Sequence, residues 1–190
     1  MISFKEFNRN KNRSVLFLHG LFSSSGYWLE YLREFRDFKI ILCDIDYENF
    51  FKTPTAYNKN VVDFCYKNNV YASISHSFAS SINLNVNEAT TRINICPITY
   101  KSRVNPNEFI TKIIRKTGLE KNFIKEILNS SEIYLKANQG INLSDTENMI
   151  NLIPNNDNFF NYNDNSNFKG DHFNISNAIN NILQLDEFSK

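Results

Sequence analysis

Ser75-His76-Ser77-Phe78-Ala79 follows the apolar segment Val70-Tyr71-Ala72-Ser73-Ile74 and leads into the small residues Ser80 and Ser81. A strand that runs directly into a helix forces the residue at the join into a strained turn. A serine there lifts its hydroxyl clear of the backbone, and the N–H groups that follow face an incoming acyl oxygen. Ser77 is then a candidate nucleophile. Alone, the five residues read equally well as a polar strand end that caps a helix. Partners elsewhere in the chain must decide.

Outward from this join the chain alternates strand and helix. Val15-Leu16-Phe17-Leu18, ending at His19-Gly20, and Lys39-Ile40-Ile41-Leu42-Cys43, ending at Asp44, are continuous apolar runs of the kind buried on both faces of a sheet. Between them Ser23 to Ser25 can cap a helix with Tyr27, Trp28, Tyr31, Leu32 and Phe35 on one face. A helix over 55–67 buries Val61, Val62, Phe64 and Cys65. It is followed by the strand 70–75, a helix from Ser77 to about Val86, and the strand 92–96. This alternation predicts an α/β fold with a mostly parallel central sheet and helices on both faces.

From Ile98 to about residue 147 the pattern is helical only and reads as an insertion. Asn105-Pro106-Asn107 starts one helix and Gly118 stops it. Phe123, Ile124, Ile127 and Leu128 mark a second, and Ile133, Tyr134 and Ala137 a short third ending at Gly140. The sheet resumes at 149–153, a brief strand is expected near Phe168, and 174–185 forms a closing amphipathic helix.

The 190 residues are 42% hydrophobic, enough for one core, so 1–190 is read as a single domain. With 21 basic and 20 acidic residues the net charge of +1 gives no field favouring nucleic acid or an anionic membrane surface. No apolar run approaches a membrane span, and the first residues lack the pattern of a secretion signal. A cytoplasmic protein is expected. Cys43, Cys65 and Cys96 lie singly in apolar segments without metal-like spacing and read as reduced core thiols.

Each of the three histidines falls at a strand end or in a turn beside one: His19, His76 and His172. The carboxyl ends of parallel strands share one rim, so a general base for Ser77 must come from such a place. At this point the chain resembles the small bacterial serine esterases and thioesterases of the α/β-hydrolase superfamily over nearly its full length. The join at Ser77 resembles their nucleophile elbow, and the order Ser, Asp, His is theirs. The resemblance implies a reduced α/β-hydrolase fold with a short helical lid, Ser77 as nucleophile, and His172 as base. It also implies a carboxylate after the penultimate strand, where Asp157 stands, and an oxyanion hole from the N–H groups of Leu21 and Phe78, with Phe22 in reserve. His19 would hold the oxyanion loop. The implied activity is hydrolysis of a carboxylic ester or thioester through an acyl-serine, without cofactor or metal. The other class of reading is a catalytically silent fold used for binding.

The sequence departs from that pattern in two places. The elbow usually carries glycine two residues before and two after the nucleophile, where this chain has Ser75 and Ala79. Both are small, so close packing of strand and helix is still met. The interval from Asp157 to His172 is too short for a full crossover helix, which leaves Asp164 and Asp145 as alternatives for the acid and a surface Asx-turn as the alternative for Asp157. His76 reads as structural and Asp171 as a solvated turn. Between Ile98 and Gly140 eight Lys or Arg face four Glu. That basic insertion suits an acyl carrier protein or a CoA phosphate, or is simply the solvated side of its helices.

Overall fold

The computed structural model describes residues 2–87, 90–99, 102–138, 148–162 and 166–188. Among these, six strands form one sheet: β1 (Ser3–Phe7), β2 (Ser14–Leu18), β3 (Lys39–Asp44), β4 (Val70–His76), β5 (Thr91–Ile95) and, after the insertion, Met149–Leu152. Their order is β1-β3-β2-β4-β5 and then Met149–Leu152. All neighbours are parallel except β1, which runs antiparallel to β3 at the edge. β2 and β4 sit in the middle, and the Ser77 join follows β4.

β2 and β3 are apolar on both faces because both faces are covered. Val15, Phe17, Ile40 and Leu42 point into one core, with Trp28, Phe35, Ile175, Ile179 and Ile182. The alternate residues Leu16, Leu18, Ile41 and Cys43 point into the other, with Phe50, Val61, Phe78 and Ile82. The first core is closed by a 3-10 segment, Ser25–Tyr31, and by the terminal helix Ser176–Leu183. The second is closed by α1 (Tyr47–Lys52), α2 (Pro54–Lys67) and α3 (Ser80–Asn83). All three cysteines are buried and unpaired.

The insertion begins with β6 (Arg103–Val104) and continues as α4 (Pro106–Thr117) and α5 (Lys121–Ala137). β7 is the strand Met149–Leu152, and β8 (Phe160–Asn161) pairs antiparallel with β6. The terminal helix is α6 (Ser176–Leu183). α4 and α5 pack their apolar faces around Phe109, Ile110, Ile113 and Ile124, together with Phe159 and Phe160.

Several elements differ from expectation. The second and third insertion helices are one continuous α5, because nothing between Leu128 and Ile133 breaks a helix: Asn129, Ser130, Ser131 and Glu132 present their polar groups without a Gly or Pro. The expected end at Gly140 lies outside the described residues. The strand near Phe168 is only an isolated bridge to Pro154. The helix after Ser77 is short, a 3-10 turn over Ser77–Ala79 and then α3. The segment after Ser24 is 3-10, with the Ser24 side chain accepting from the Gly26 N–H. β1, α1, β6 and β8 were not anticipated. No helix among the described residues is long and apolar enough to cross a membrane.

Gly118 closes α4 at φ 70° and donates its N–H to the Ile114 carbonyl at 2.8 Å. A methyl there meets nothing within 4 Å. Any cost of Gly118→Ala is therefore backbone strain alone. Destabilisation by about 1 kcal/mol, read as a lower urea midpoint at unchanged slope, is the expected outcome.

Candidate active site

Ser77 follows β4 with φ 58°, in the left-handed region that a residue with a side chain enters only at a cost of about 1–3 kcal/mol. The position is held from both sides. β4 is paired with β2 and β5, and the Ser80 N–H bonds the Ser77 and Phe78 carbonyls as the helix starts. The Phe78 side chain points away into a cluster with Tyr47, Phe51 and Tyr134, at ring distances of 5.6, 5.4 and 5.8 Å. Ser75, in a usual glycine position, is fully buried, and its hydroxyl donates to Asn94 Oδ1 at 2.7 Å. Asn83 Nδ2 donates to the same oxygen at 2.9 Å, and Asn94 Nδ2 donates to Asn151 Oδ1 at 3.0 Å. The extra hydroxyl thus has a built acceptor, which removes the penalty of burying it.

Asp157 and His172 come from two loops beyond β7 that fasten to each other. Pro154 bridges Phe168, the Asn155 N–H donates to the Phe168 carbonyl at 3.0 Å, and the Asn156 N–H donates to the Gly170 carbonyl at 3.2 Å. Gly170 in turn donates to Asn155 Oδ1 at 3.1 Å. A Cβ on Gly170 would lie 2.4 Å from the Asn174 carbonyl oxygen, so the His172 loop closes only around a glycine.

The result is a chain of hydrogen bonds. His172 Nε2 lies 2.9 Å from Ser77 Oγ, and His172 Nδ1 lies 3.0 Å from Asp157 Oδ2. An ionised carboxylate can only accept, so Nδ1 carries the proton and the Nε2 lone pair faces the serine hydroxyl. Asp157 Oδ1 accepts the Phe159 and Phe160 N–H groups at 2.8 and 3.0 Å, and Oδ2 also accepts from the Tyr162 hydroxyl at 3.3 Å. The carboxylate is an Asx-turn residue and a histidine partner at once. Burial alone would raise its pKa, but His172 and the two backbone N–H groups outweigh it and hold it below the usual carboxylate range. Asp164 and Asp145 lie outside the described residues. Asp171 accepts the Phe173 and Asn174 N–H groups at 2.7 and 3.0 Å, and so shapes the turn that presents His172.

The other two histidines are structural partners of this chain. His76 Nε2 donates to the His172 carbonyl at 2.8 Å, and its ring stacks on Tyr27 at 4.8 Å. His19 Nε2 accepts the Ile45 N–H at 2.9 Å, so its Nδ1 donates to the Gly20 carbonyl, also at 2.9 Å. The His19 carbonyl accepts the Tyr47 hydroxyl at 2.5 Å. Gly20 passes so close to the elbow that a Cβ there would lie 2.9 Å from Ser77 Cβ. Leu21, Ser77 and Phe78 then border one cavity of about 740 Å³, walled by Ile98, Phe109, Ile110, Leu128, Leu135 and Phe160. Phe22 has φ 59° and its ring packs on Phe109.

Only one group of described residues has the makings of a metal site: His76, Cys96 and His172, with donor atoms within 4.8 Å of one another. Its chemistry points elsewhere. Both His172 nitrogens are engaged with Ser77 and Asp157, and burial pushes the Cys96 thiol well up, so that it stays protonated. Sequence reasoning missed Tyr162, Asn83, Asn94 and Asn151. The three asparagines gave no signal in so Asn-rich a chain; Phe109, which the sequence offers either as lining of an acyl pocket or as seating of the insertion on the sheet, borders the cavity.

No protein-family model matches the sequence, and no curated protein matches it either. Among solved structures the chain is similar to MGS-MChE2, an α/β-hydrolase enzyme from the metagenome of lagoon sediments at Mar Chica, Morocco. Identity is 17%, coverage is 83% of this chain and 74% of that one, and the TM-score is 0.54. It is also similar to a Burkholderia cenocepacia protein provisionally described as an aryl esterase, with 10% identity, 85% and 78% coverage and a TM-score of 0.57. The chain has the α/β-hydrolase fold.

His76 is buried neutral, its pKa pushed down to about 3 by desolvation and then by the neighbouring His172. His19 is lowered by burial as well. The unfolded chain therefore binds protons that the folded chain refuses between the ordinary value of 6.5 and about 3. Stability should fall as pH drops through that window. His76→Phe should make the fall shallower, with a remainder from His19, as read from urea midpoints at several pH values.

Proposed function

We propose that the protein is a serine hydrolase that cleaves a carboxylic ester or thioester through an acyl-Ser77 intermediate. A serine hydroxyl is a poor nucleophile near neutral pH, and an imidazole can take its proton and return it to the leaving group. In the proposed reaction His172 Nε2 removes the Ser77 proton as Oγ attacks the substrate carbonyl. Asp157 holds the imidazole by Nδ1 and stabilises the imidazolium. The protonated Nε2 then gives its proton to the leaving alcohol or thiol, and water repeats the steps in reverse to free the acid. The N–H groups of Leu21 and Phe78 are assigned to the oxyanion, with donors of this kind worth about 3–4 kcal/mol each.

The observation that carries the reading is the unbroken sequence Ser77 Oγ, His172, Asp157, with contacts of 2.9 and 3.0 Å. It begins at a serine in left-handed backbone and opens on a cavity. Support also comes from a fold shared with a known α/β-hydrolase enzyme. The apolar walls of the cavity suit the acyl group. Lys125 and Lys136 border the same cavity, and Lys136 pairs with Glu132 at 2.6 Å. Lys125 is thus the residue proposed to meet a phosphate, if the acyl group arrives on CoA or on an acyl carrier protein. Lys101, counted with the basic residues of the insertion, lies outside the described residues.

Hydrolysis of p-nitrophenyl esters tests the roles. Ser77→Ala should abolish turnover and Asp157→Asn should lower kcat by on the order of 10⁴-fold, as the wrong imidazole tautomer does elsewhere. Activity that survives Asp157→Asn but is lost in Asp164→Asn would move the acid. Parallel assays with acyl-CoA address the leaving group. Lys125→Glu should raise KM for acyl-CoA and leave the p-nitrophenyl ester unchanged, whereas an equal effect on both would remove Lys125 from that role.

A further inference from the structure

Phe109 stands in the first turn of α4, yet its ring touches each of the loops that bear the site. It packs on Phe22 of the oxyanion turn at 6.3 Å between ring centroids. It packs on Phe159 and Phe160 at 5.7 and 5.5 Å, and these are the two residues whose N–H groups hold Asp157. It meets the His172 ring itself at 6.4 Å and stacks on Phe173 at 6.4 Å and 21°. All lie within the range of favourable aromatic contact. Phe160 in turn lies on His172 at 4.5 Å.

The backbone fixes where this ring goes. β6 pairs with β8, placing Val104 opposite Phe160, and the Asn105 N–H donates to the Phe159 carbonyl at 2.9 Å. α4 therefore starts from the acid loop itself. Further along, Lys112 Nζ sits 5.0 Å from the Phe159 ring and 4.6 Å from that of Phe173, and Lys116 Nζ lies 5.1 Å from Phe173. One helix is wired to both loops, and Phe109 is 4% exposed at their meeting point.

We infer that Phe109 is a positioning residue: through its ring the inserted helix α4 sets the alignment of His172 with Ser77 and Asp157 and the placement of the oxyanion turn. The insertion is then part of the machinery and more than a cover for it. Close-packed interiors pass small displacements on, and an error of about 1 Å in a catalytic group costs on the order of a hundredfold in rate. The inference rests on the serine hydrolase reading for its kinetic consequence but not for its geometry.

The test compares Phe109→Leu with Ile113→Val, which alters an equally buried residue one turn along α4 that does not border the cavity. Two readouts are taken. One is the rate at which a small alkyl fluorophosphonate, too short to use the acyl walls, labels Ser77. The other is the proton resonance of His172 Nδ1–H in the free protein. Phe109→Leu should slow labelling ten- to a hundredfold and shift or broaden the resonance, while Ile113→Val leaves both as in the parent. Unchanged rate and resonance in Phe109→Leu, or equal loss in both variants, would overturn the inference. If the parent protein does not label at all, the hydrolase reading fails, and the His172 resonance alone still decides for or against Phe109. Should Phe109→Leu not fold, Phe109→Met, of similar volume, takes its place.

Discussion

The site depends first on one constraint: Ser77 must be held at positive φ at the end of a central strand. A strain of this size cannot persist at a free chain end. It persists here because β4 is paired on both sides and because the helix that follows starts at once. The tightness of that turn propagates. Gly20 has no room for a side chain against Ser77, and the turn around it is tied down by His19 and Tyr47. Where glycine is usual at Ser75, a serine is accommodated by Asn94, itself fixed by Asn83 and Asn151. The small residue is retained, and the polar group it brings is satisfied.

The second half of the site is built economically. Among the described residues, the loops that carry Asp157 and His172 have only the short β8 and the Pro154–Phe168 bridge between them. Backbone hydrogen bonds between residues 154–156 and 168–170 join them, and His76 adds a bond from the elbow to the His172 carbonyl. The inserted helix α4 meets these loops from the other side through Phe109 and two lysines. The two loops are thus held by backbone lacing on one side and aromatic packing on the other.

Much of this was legible in the sequence. The continuous apolar runs of β2 and β3 announce strands covered on both faces, and the fall of each histidine at a strand end marks one rim. The resemblance to α/β-hydrolases implies Ser77, His172 and, ahead of Asp164 and Asp145, Asp157, and these three lie in hydrogen-bonding contact. Other features were not legible for physical reasons. β1 is an edge strand with every second residue exposed, so Ser3 to Phe7 lack an apolar run. α5 carries polar residues over 129–132 that read as a break between helices, although none of them stops one. The expected strand near Phe168 stops at a single parallel bridge because its partner, Pro154, has no N–H to extend a ladder, and the packing of Phe109 against the site loops is not legible because pattern does not report what lies opposite.

The central claim is that Ser77 forms a covalent acyl intermediate with the help of His172. The most direct measurement mixes the protein with a p-nitrophenyl ester, quenches in acid within the first turnovers, and weighs the intact chain and its peptides. The account predicts an added acyl mass confined to the peptide containing Ser77, which accumulates as nitrophenol is released. Release of nitrophenol with no acyl mass on Ser77, or with the mass on another residue, would contradict it.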